Sequence, residues 1–259
     1  MDTLTVVNLV TLCGLAFCAG LIDSAVGGGG LIQIPALFSA FPSTSEATLL
    51  GTNKLASVSG SSVAARHYFG KVRIPWALVL PAAIAAFVMA FIGAATVSHI
   101  PGEVLRPLVL VLIVVMAIYV FRKKDFGSVQ RPLHIGRREH ILSIFIGGAI
   151  GFYDGLLGPG TGSFLIFLFI RYFSLDFLQA TASAKFVNIA TNIAALVYFV
   201  PTGNVLYGIA IAMAVFNMMG AYAGSWVAMK HGAGFVRMLF LLLLFFLICK
   251  LAYTIVYSG

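Results

Sequence analysis

Residues 20–35, GLIDSAVGGGGLIQIP, interrupt an apolar segment with one carboxylate, Asp23, and with four consecutive glycines at 27–30. Glycine weakens a helix by about 1 kcal/mol relative to alanine, and an ionised side chain is costly inside a bilayer. Both features therefore oppose a simple transmembrane helix. They indicate either close packing between helices or a break in the chain that forms a site.

The composition predicts an all-α protein that crosses the membrane several times. Of 259 residues, 61% are hydrophobic and only 9% are charged, whereas about a quarter of the residues in a soluble domain are charged. Residues 186–229 contain no Asp, Glu, Lys or Arg, which is room for two spans of about 20 residues. The net charge is +8, and the basic residues cluster at the ends of apolar segments, as the positive-inside rule describes. We therefore expect a lipid bilayer, and no nucleic acid, as a partner.

The interrupted stretch recurs 131 residues later as GFYDGLLGPGTG, residues 151–162. Other scarce residue types coincide at the same offset. Gly20, Asp23, Gly27, Gly29, Lys54, Gly93 and Arg106 correspond to Gly151, Asp154, Gly158, Gly160, Lys185, Gly224 and Arg237. The sequence thus predicts two membrane repeats, 1–121 and 141–259, joined by a cytoplasmic linker, 122–140, that carries six Lys/Arg.

Each repeat is predicted to hold four long helices and one short, broken or re-entrant helix. The long segments are 4–22, 47–65, 74–97 and 104–121, and then 141–153, 180–200, 205–229 and 235–256. The short pieces, 31–41 and 162–172, have 11 residues each and cannot span a bilayer alone. The total is eight to ten membrane segments.

Loop charge predicts that the two repeats are inverted. The loop with Arg66, Lys71 and Arg73 is basic, whereas its counterpart, YFVPTGNVLY at 198–207, has no charge. Conversely, the loop at Glu103 is not basic, but its counterpart carries Lys230. Corresponding loops would then face opposite sides, which requires an odd number of crossings in each repeat.

The two glycine-rich breaks are candidate anion-binding sites. Backbone amides at a helix break, and the positive end of the half-helix that follows, attract anions. Packing by small residues is the alternative, but interruptions at corresponding positions of two repeats favour a transporter site. The candidate main-chain donors are Gly27, Gly28, Gly29, Gly30, Gly158, Gly160 and Thr161.

Lys54 and Lys185 lie well inside apolar segments. A cation at such a position needs a partner or water, and two related cations among neutral donors would attract a small oxyanion. The predicted binding residues beside the lysines are Thr52, Asn53, Ser57, Ser183 and Asn188, with Asn192 also near.

Asp23 and Asp154 leave three interpretations open. Two Asp–Lys pairs could serve packing alone, the carboxylates could hold the lysines until a substrate displaces them, or they could carry a coupling proton. Asp23 would be either the partner of Lys54 or part of the coupling machinery. The sequence has no nucleotide-binding motif, no catalytic fingerprint and no metal-ligand spacing, so we expect no cofactor and no enzyme activity.

With these residues in view, the sequence resembles the TauE/SafE family of sulfite exporters. The resemblance rests on GLIDSAVGGGGLIQIPAL, GTNKLASVSGSSVAARHYFGKV and their second copies, GFYDGLLGPGTGSFL and ASAKFVNIATNIAALVYF, and it covers nearly the whole chain. It implies a multi-pass permease of the cytoplasmic membrane for sulfite, organosulfonates or similar small anions. The second copy departs from the first where Thr161 and Gly162 align with Gly30 and Leu31, so the two half-sites need not act equally.

We therefore expect a secondary transporter of a small sulfur-containing anion that works by alternating access around a central site between the repeats. Three alternatives stay open at this point. They are a passive anion channel, an integral-membrane enzyme, and a proton or cation carrier centred on Asp23 and Asp154.

Overall fold

A computed structural model describes residues 3–105, 107–109, 111–112, 115 and 135–257 of the chain, with side chains only for the part of these ranges within 9–232. Several predictions fall outside this description. They concern most of the linker 122–140, the end of the segment 104–121, Arg106 and the side chain of Arg237. The division into two repeats and a linker stays a prediction.

The described residues form helices and no β-strand. The helices before the linker are α1 (Thr3–Val26), α2 (Gly30–Ala40), α3 (Glu46–Tyr68) and α4 (Trp76–Val97). Residues 102–105 and 107–109 are also helical. The helices after the linker are α5 (Arg137–Leu156), α6 (Thr161–Phe173), α7 (Phe177–Phe199) and α8 (Tyr207–Tyr257).

Within the described residues, four helices are long and apolar enough to cross a membrane, at Leu9–Val26, Trp76–Val97, Phe177–Phe199 and Tyr207–Gly232. At 1.5 Å per residue, α2 and α6 are about 16 and 20 Å long, less than the roughly 30 Å of a hydrocarbon core. The described part of the chain is therefore helical, and its apolar helices are consistent with a membrane protein that crosses the bilayer several times. The total of eight to ten segments and the inversion stay predictions.

The N-cap residues of the two central helices, α3 and α7, occupy corresponding positions of the sequence. The Ser45 hydroxyl accepts a hydrogen bond from the Thr48 amide at the start of α3, and the Asp176 carboxylate accepts one from the Gln179 amide at the start of α7. Such caps satisfy backbone donors that have no partner within the helix. Ser45 and Asp176 are 131 positions apart, so α3 and α7 begin at matching points.

The helices of each half pack mainly against those of the other half. Helix α1 packs on α8, α4 packs on α5, and α3 and α7 contact each other in the middle. At Gly224 a Cβ would overlap the carbonyl of Leu21, and at Gly93 a Cβ would overlap that of Phe152. These two contacts are related by the 131-residue offset with the halves exchanged. Small residues thus let α1 approach α8, and α5 approach α4, at backbone distance.

Candidate functional site

The central helices α3 and α7 each carry a polar stripe along one face. Positions i, i+3 and i+7 of a helix share a face, and the stripes are Lys54, Ser57, Ser61 on α3 and Lys185, Asn188, Asn192 on α7. The two lysines are almost fully enclosed, with 2% and 0% of their surfaces exposed. The stripes are 131 positions apart, residue for residue.

The two glycine-rich stretches interrupt the helical backbone, and each separates one helix from the next. Helix α1 ends at Val26 and α2 begins at Gly30, while α5 ends at Leu156 and α6 begins at Thr161. Gly27 and its counterpart Gly158 have φ values of +67° and +88°, which L side chains rarely adopt. Each break is therefore a real interruption between a longer helix and a half-helix.

The two breaks also touch each other. A Cβ added to Gly27 would overlap the backbone of Gly162, and one added to Gly30 would lie 3.3 Å from Cα of Pro159. The Ser163 hydroxyl donates a hydrogen bond to the Gly27 carbonyl. The start of α2 and the start of α6 thus meet at the centre of the molecule.

Each lysine pairs with the aspartate of the opposite half. Lys54 Nζ lies 3.0 Å from Asp154 Oδ1 and donates to the Asp154 backbone carbonyl at 2.6 Å. Lys185 Nζ lies 2.7 Å from Asp23 Oδ2. The hypothesis that Asp23 is the partner of Lys54 is therefore wrong. Each of these two buried ion pairs therefore joins one half of the molecule to the other.

The two carboxylates differ in their other partners. Oδ1 of Asp23 accepts hydrogen bonds from the amides of Gly28 at 3.0 Å and Gly29 at 3.2 Å. The residue that corresponds to Gly28 is Pro159, which has no N–H to donate. Asp154 Oδ1 instead accepts from the Thr161 hydroxyl at 2.7 Å, and its Oδ2 is buried without a hydrogen-bond partner.

These groups surround a small central cavity of about 30 Å³. At roughly 10–15 Å³ for each water, it has room for about two water molecules. The lining residues are Asp23, Gly28, Gly30, Asn53, Lys54, Ser57, Ser61, Asp154, Gly158, Gly160, Thr161, Gly162, Asn188 and Asn192. Most of the predicted site residues are therefore in one place.

The cavity lining has unused hydrogen-bonding capacity. Four of its buried polar atoms have no partner in the protein, and they belong to Asn53, Ser61, Asp154 and Asn188. Buried polar atoms are nearly always hydrogen-bonded to protein, water or a ligand. The first residues of α2 and α6, Gly30 and Thr161, also line the cavity, so two positive helix ends are directed at it. The cavity can accept a small polar guest.

Five predicted site residues do not line the cavity. The Thr52 hydroxyl donates to the Thr48 carbonyl at 2.7 Å and accepts from the Leu206 amide at 2.9 Å, so it anchors the α7–α8 loop. Its counterpart Ser183 is buried elsewhere. Both precede a lysine by two positions, which at 100° per residue turns them away from its face. The other three are Gly27 and Gly29, which pack against backbone or Asp23, and Lys185, which reaches the site through Asp23.

Two lining residues, Ser61 and Gly162, are absent from the sequence prediction. Ser61 follows Lys54 by seven positions, just as Asn192 follows Lys185. The helical i, i+3, i+7 spacing was therefore the signal that would have identified Ser61. Gly162 had no such signal, because it lies against Gly27 of the other half, a contact that depends on the tertiary fold.

Comparisons with known proteins relate the chain to membrane transporters. Residues 12–251 match the family described as Sulfite exporter TauE/SafE. The probable membrane transporter protein ORF9 of a Sinorhizobium species is 36% identical over 222 residues, which cover 86% of this chain and 84% of the relative. The probable membrane transporter protein YfcA of Escherichia coli strain K12 is 34% identical over 242 residues, covering 92% and 87%.

A probable membrane transporter protein of Haemophilus influenzae is 27% identical over 248 residues, which cover 94% of this chain and 96% of the relative. No solved structure matches the chain. The family match extends over nearly all of the described helices and both glycine-rich breaks. The chain belongs to the sulfite exporter TauE/SafE family of membrane transporters.

Proposed function

We propose that the chain is a secondary transporter that carries a small sulfur-containing anion, sulfite or an organosulfonate, across the cytoplasmic membrane. The observation that carries this proposal is the pair of buried lysines at the meeting point of two broken helices, each joined to a carboxylate of the other half. The family description as sulfite exporters supports sulfur oxyanions as the substrate class.

The chemistry around the cavity suits an oxyanion. Lys54 supplies a point charge, and Lys185 supplies a second one behind Asp23. Asn53 and Asn188 line the same space, and their side-chain amides carry N–H donors that can orient oxygen atoms. The Ser57 hydroxyl, which also lines it, donates to Gln33 in this structure. Hydrogen bonds from charged donors to anions are roughly twice as strong as neutral ones.

The carboxylates act as internal competitors for the lysines. The cavity of about 30 Å³ holds water but has little space for an anion of four or more heavy atoms. An incoming anion therefore takes the place of a carboxylate at its lysine, and the two halves separate enough to admit it. Because each ion pair joins the two halves, anion binding and movement between the halves are coupled in this proposal.

Charge balance makes a proton the natural co-substrate. The two ion pairs are neutral together, so adding an anion would leave an unpaired charge in a region of low polarity, which is costly. A proton taken up by an aspartate restores neutrality and releases the lysine. One proton should therefore accompany each negative charge of the substrate.

The hydrogen-bond partners of the two aspartates lead us to assign the proton to Asp154. Its Oδ2 is buried without a donor, whereas both oxygens of Asp23 have partners. An ionised oxygen without a hydrogen bond is the less stabilised one. In this proposal Asp154 takes the proton and Lys54 is the lysine that is released.

Transport by purified protein in liposomes tests the proposal. We expect a proton gradient to drive uptake of sulfite or a labelled sulfonate, and Lys54→Ala or Lys185→Ala to reduce it strongly. Losing a charge-assisted hydrogen bond of about 1.5–3 kcal/mol lowers substrate affinity by about tenfold to a hundredfold. Lys230→Ala is the matched control, because Lys230 is exposed and contacts Trp226 instead of the site.

Different outcomes would support other functions. Uptake that follows membrane potential with no dependence on the proton gradient would indicate a passive channel. Transport of cations that depends on Asp23 and Asp154 but not on the lysines would indicate a cation carrier. Unchanged anion uptake in both lysine variants would contradict the proposal.

A further inference from the structure

A second cavity, separate from the central one, lies on the outer face of the molecule between α3 and α8. Its volume is about 470 Å³, far larger than that of the central cavity. On the α3 side, Ser59, Ser62, Arg66 and His67 line it, and these positions share one helix face. It is therefore a groove that follows α3 from residue 59 to residue 67, a rise of about 12 Å. We call it the α3–α8 groove.

The basic side chains are confined to one end of the groove. Arg66 and His67 lie in the last turn of α3, and Lys71 comes from the loop that follows. No acidic residue lines the groove. The end of the α3 dipole is equivalent to only about half a negative charge, which Arg66 and Lys71 together exceed, so this end is positive.

Away from the basic end, the groove is lined by Val63, Met218 and Tyr222 and by two serines whose hydroxyls donate to carbonyls of their own helix. The ring of Tyr222 on α8 stacks on His67, with ring centroids 4.9 Å apart, and His67 Nδ1 lies within hydrogen-bond distance, 2.7 Å, of Ser225 Oγ. Beside the groove, Met219 and Trp226 expose 55% and 46% of their surfaces. Large exposed apolar side chains on a membrane helix face hydrocarbon, so the groove opens toward lipid.

We propose that the α3–α8 groove binds the headgroup of an anionic phospholipid. The phosphate would lie between Arg66 and Lys71, and the start of an acyl chain would follow the apolar part of the groove. Basic pockets between membrane helices on the cytoplasmic side bind such headgroups, and the loop at 69–73 is basic, as cytoplasmic loops are. This inference does not depend on which substrate the central cavity takes.

The test measures phospholipid binding to the full-length chain purified in detergent and stripped of lipid. We expect phosphatidylglycerol to bind more tightly than phosphatidylcholine with the same acyl chains. A basic residue near the headgroup contributes about 1 kcal/mol, so Arg66→Gln and Lys71→Gln should each weaken phosphatidylglycerol binding about fivefold. Arg73→Gln is the matched control, because Arg73 is an exposed cation of the same loop that does not line the groove.

Three results would overturn the proposal. The first is equal binding of the two lipids, and the second is a loss in Arg73→Gln as large as in the groove variants, which would mean unspecific surface charge. The third is competition by free glycerol phosphate at the concentration of the lipid, which would mean a site for a soluble anion. If Arg66→Gln does not fold, Lys71→Gln alone decides, because Lys71 is an exposed loop residue.

Discussion

Asp23 and Asp154 occupy corresponding positions in the sequence but have different hydrogen-bond partners in the fold. Two glycine amides and Lys185 hold Asp23. Lys54 and Thr161 hold one oxygen of Asp154, and the other oxygen has no partner. The second half has Pro159 at the position of Gly28, and proline has no N–H to donate to the carboxylate. The proposed proton carrier follows from this difference.

The two aspartates should respond differently to neutralisation. If anion binding takes up a proton, affinity rises as pH falls, by up to about tenfold per pH unit. Asp154→Asn should make affinity for a sulfonate nearly independent of pH, because Lys54 no longer needs a proton to be released. Asp23→Asn should leave a pH dependence. Titration calorimetry between about pH 6 and pH 8 measures both slopes, and equal slopes in the two variants would contradict the assignment.

Much of the residue-level site could be predicted from the sequence. Lys54, Asn53, Ser57 and Asn188 are scarce polar residues in apolar segments, and all four line the cavity. The partner of each lysine could not be predicted, because the offset of 131 relates Asp23 to Lys54 and Asp154 to Lys185 equally well within one half or across halves. Only the packing of the broken helices against the opposite half decides between these pairings.

The glycine-rich breaks are the elements that create the site. Gly27 has a positive φ and lies against the backbone of Gly162, so it meets two requirements that only glycine satisfies. The start of α2 and the start of α6 can approach each other only without a side chain at this point. The break is therefore a structural requirement and not a weak place in a helix.

Alanine substitutions should separate this role from ordinary helix propensity. Gly27→Ala places a Cβ into the backbone of the opposite break, and we expect it to lower stability by more than about 1 kcal/mol. Gly14→Ala is the control in the same helix α1, because a Cβ there meets nothing within 4 Å and alanine favours a helix by about 1 kcal/mol. Thermal unfolding in detergent compares the two, and a Gly27→Ala variant as stable as Gly14→Ala would contradict this role.

The boundaries of the elements followed from the sequence to different degrees. The predicted short pieces, 31–41 and 162–172, lie within one residue of α2 and α6 at each end, because glycine and proline mark the breaks. Helix α1 was predicted to end at 22 but continues to Val26, since a paired carboxylate is compatible with a helix. The predicted segments 205–229 and 235–256 lie on either side of Gly232, where φ of 74° and ψ of −173° interrupt the helical backbone of α8.

At the scale of the whole molecule, each half packs mainly on the other. Contacts of α1 with α8 and of α4 with α5 are the most extensive, and α3 and α7 meet between them. Both buried ion pairs cross the same boundary. Removing one member of a buried ion pair lowers stability by about 3–5 kcal/mol, because the other charge is left unpaired. Replacing both members by neutral residues avoids this loss and is the cleaner test of function. Sequence comparison of the halves could suggest a repeat but not this exchange of partners.

The predicted inversion of the repeats can be tested at two corresponding loop positions. Lys71 and Thr202 are 131 residues apart and both are exposed. If the repeats are inverted, Lys71→Cys should react with a membrane-impermeant thiol reagent only from the cytoplasmic side, and Thr202→Cys only from the opposite side. A background without the three native cysteines is needed for both variants. Labelling of both positions from one side would mean that the repeats are not inverted.

The central claim is that a small anion binds at lysines that are otherwise held by carboxylates of the opposite half. Isothermal titration of the purified chain with sulfite and a sulfonate tests it most directly, using Lys54→Gln/Asp154→Asn and Lys185→Gln/Asp23→Asn as variants with neutral, similarly sized pairs. We predict that the unmodified chain binds the anion with uptake of a proton and that the Lys54→Gln/Asp154→Asn variant does not bind it. Unchanged affinity of the Lys54→Gln/Asp154→Asn variant for the anion would contradict the account.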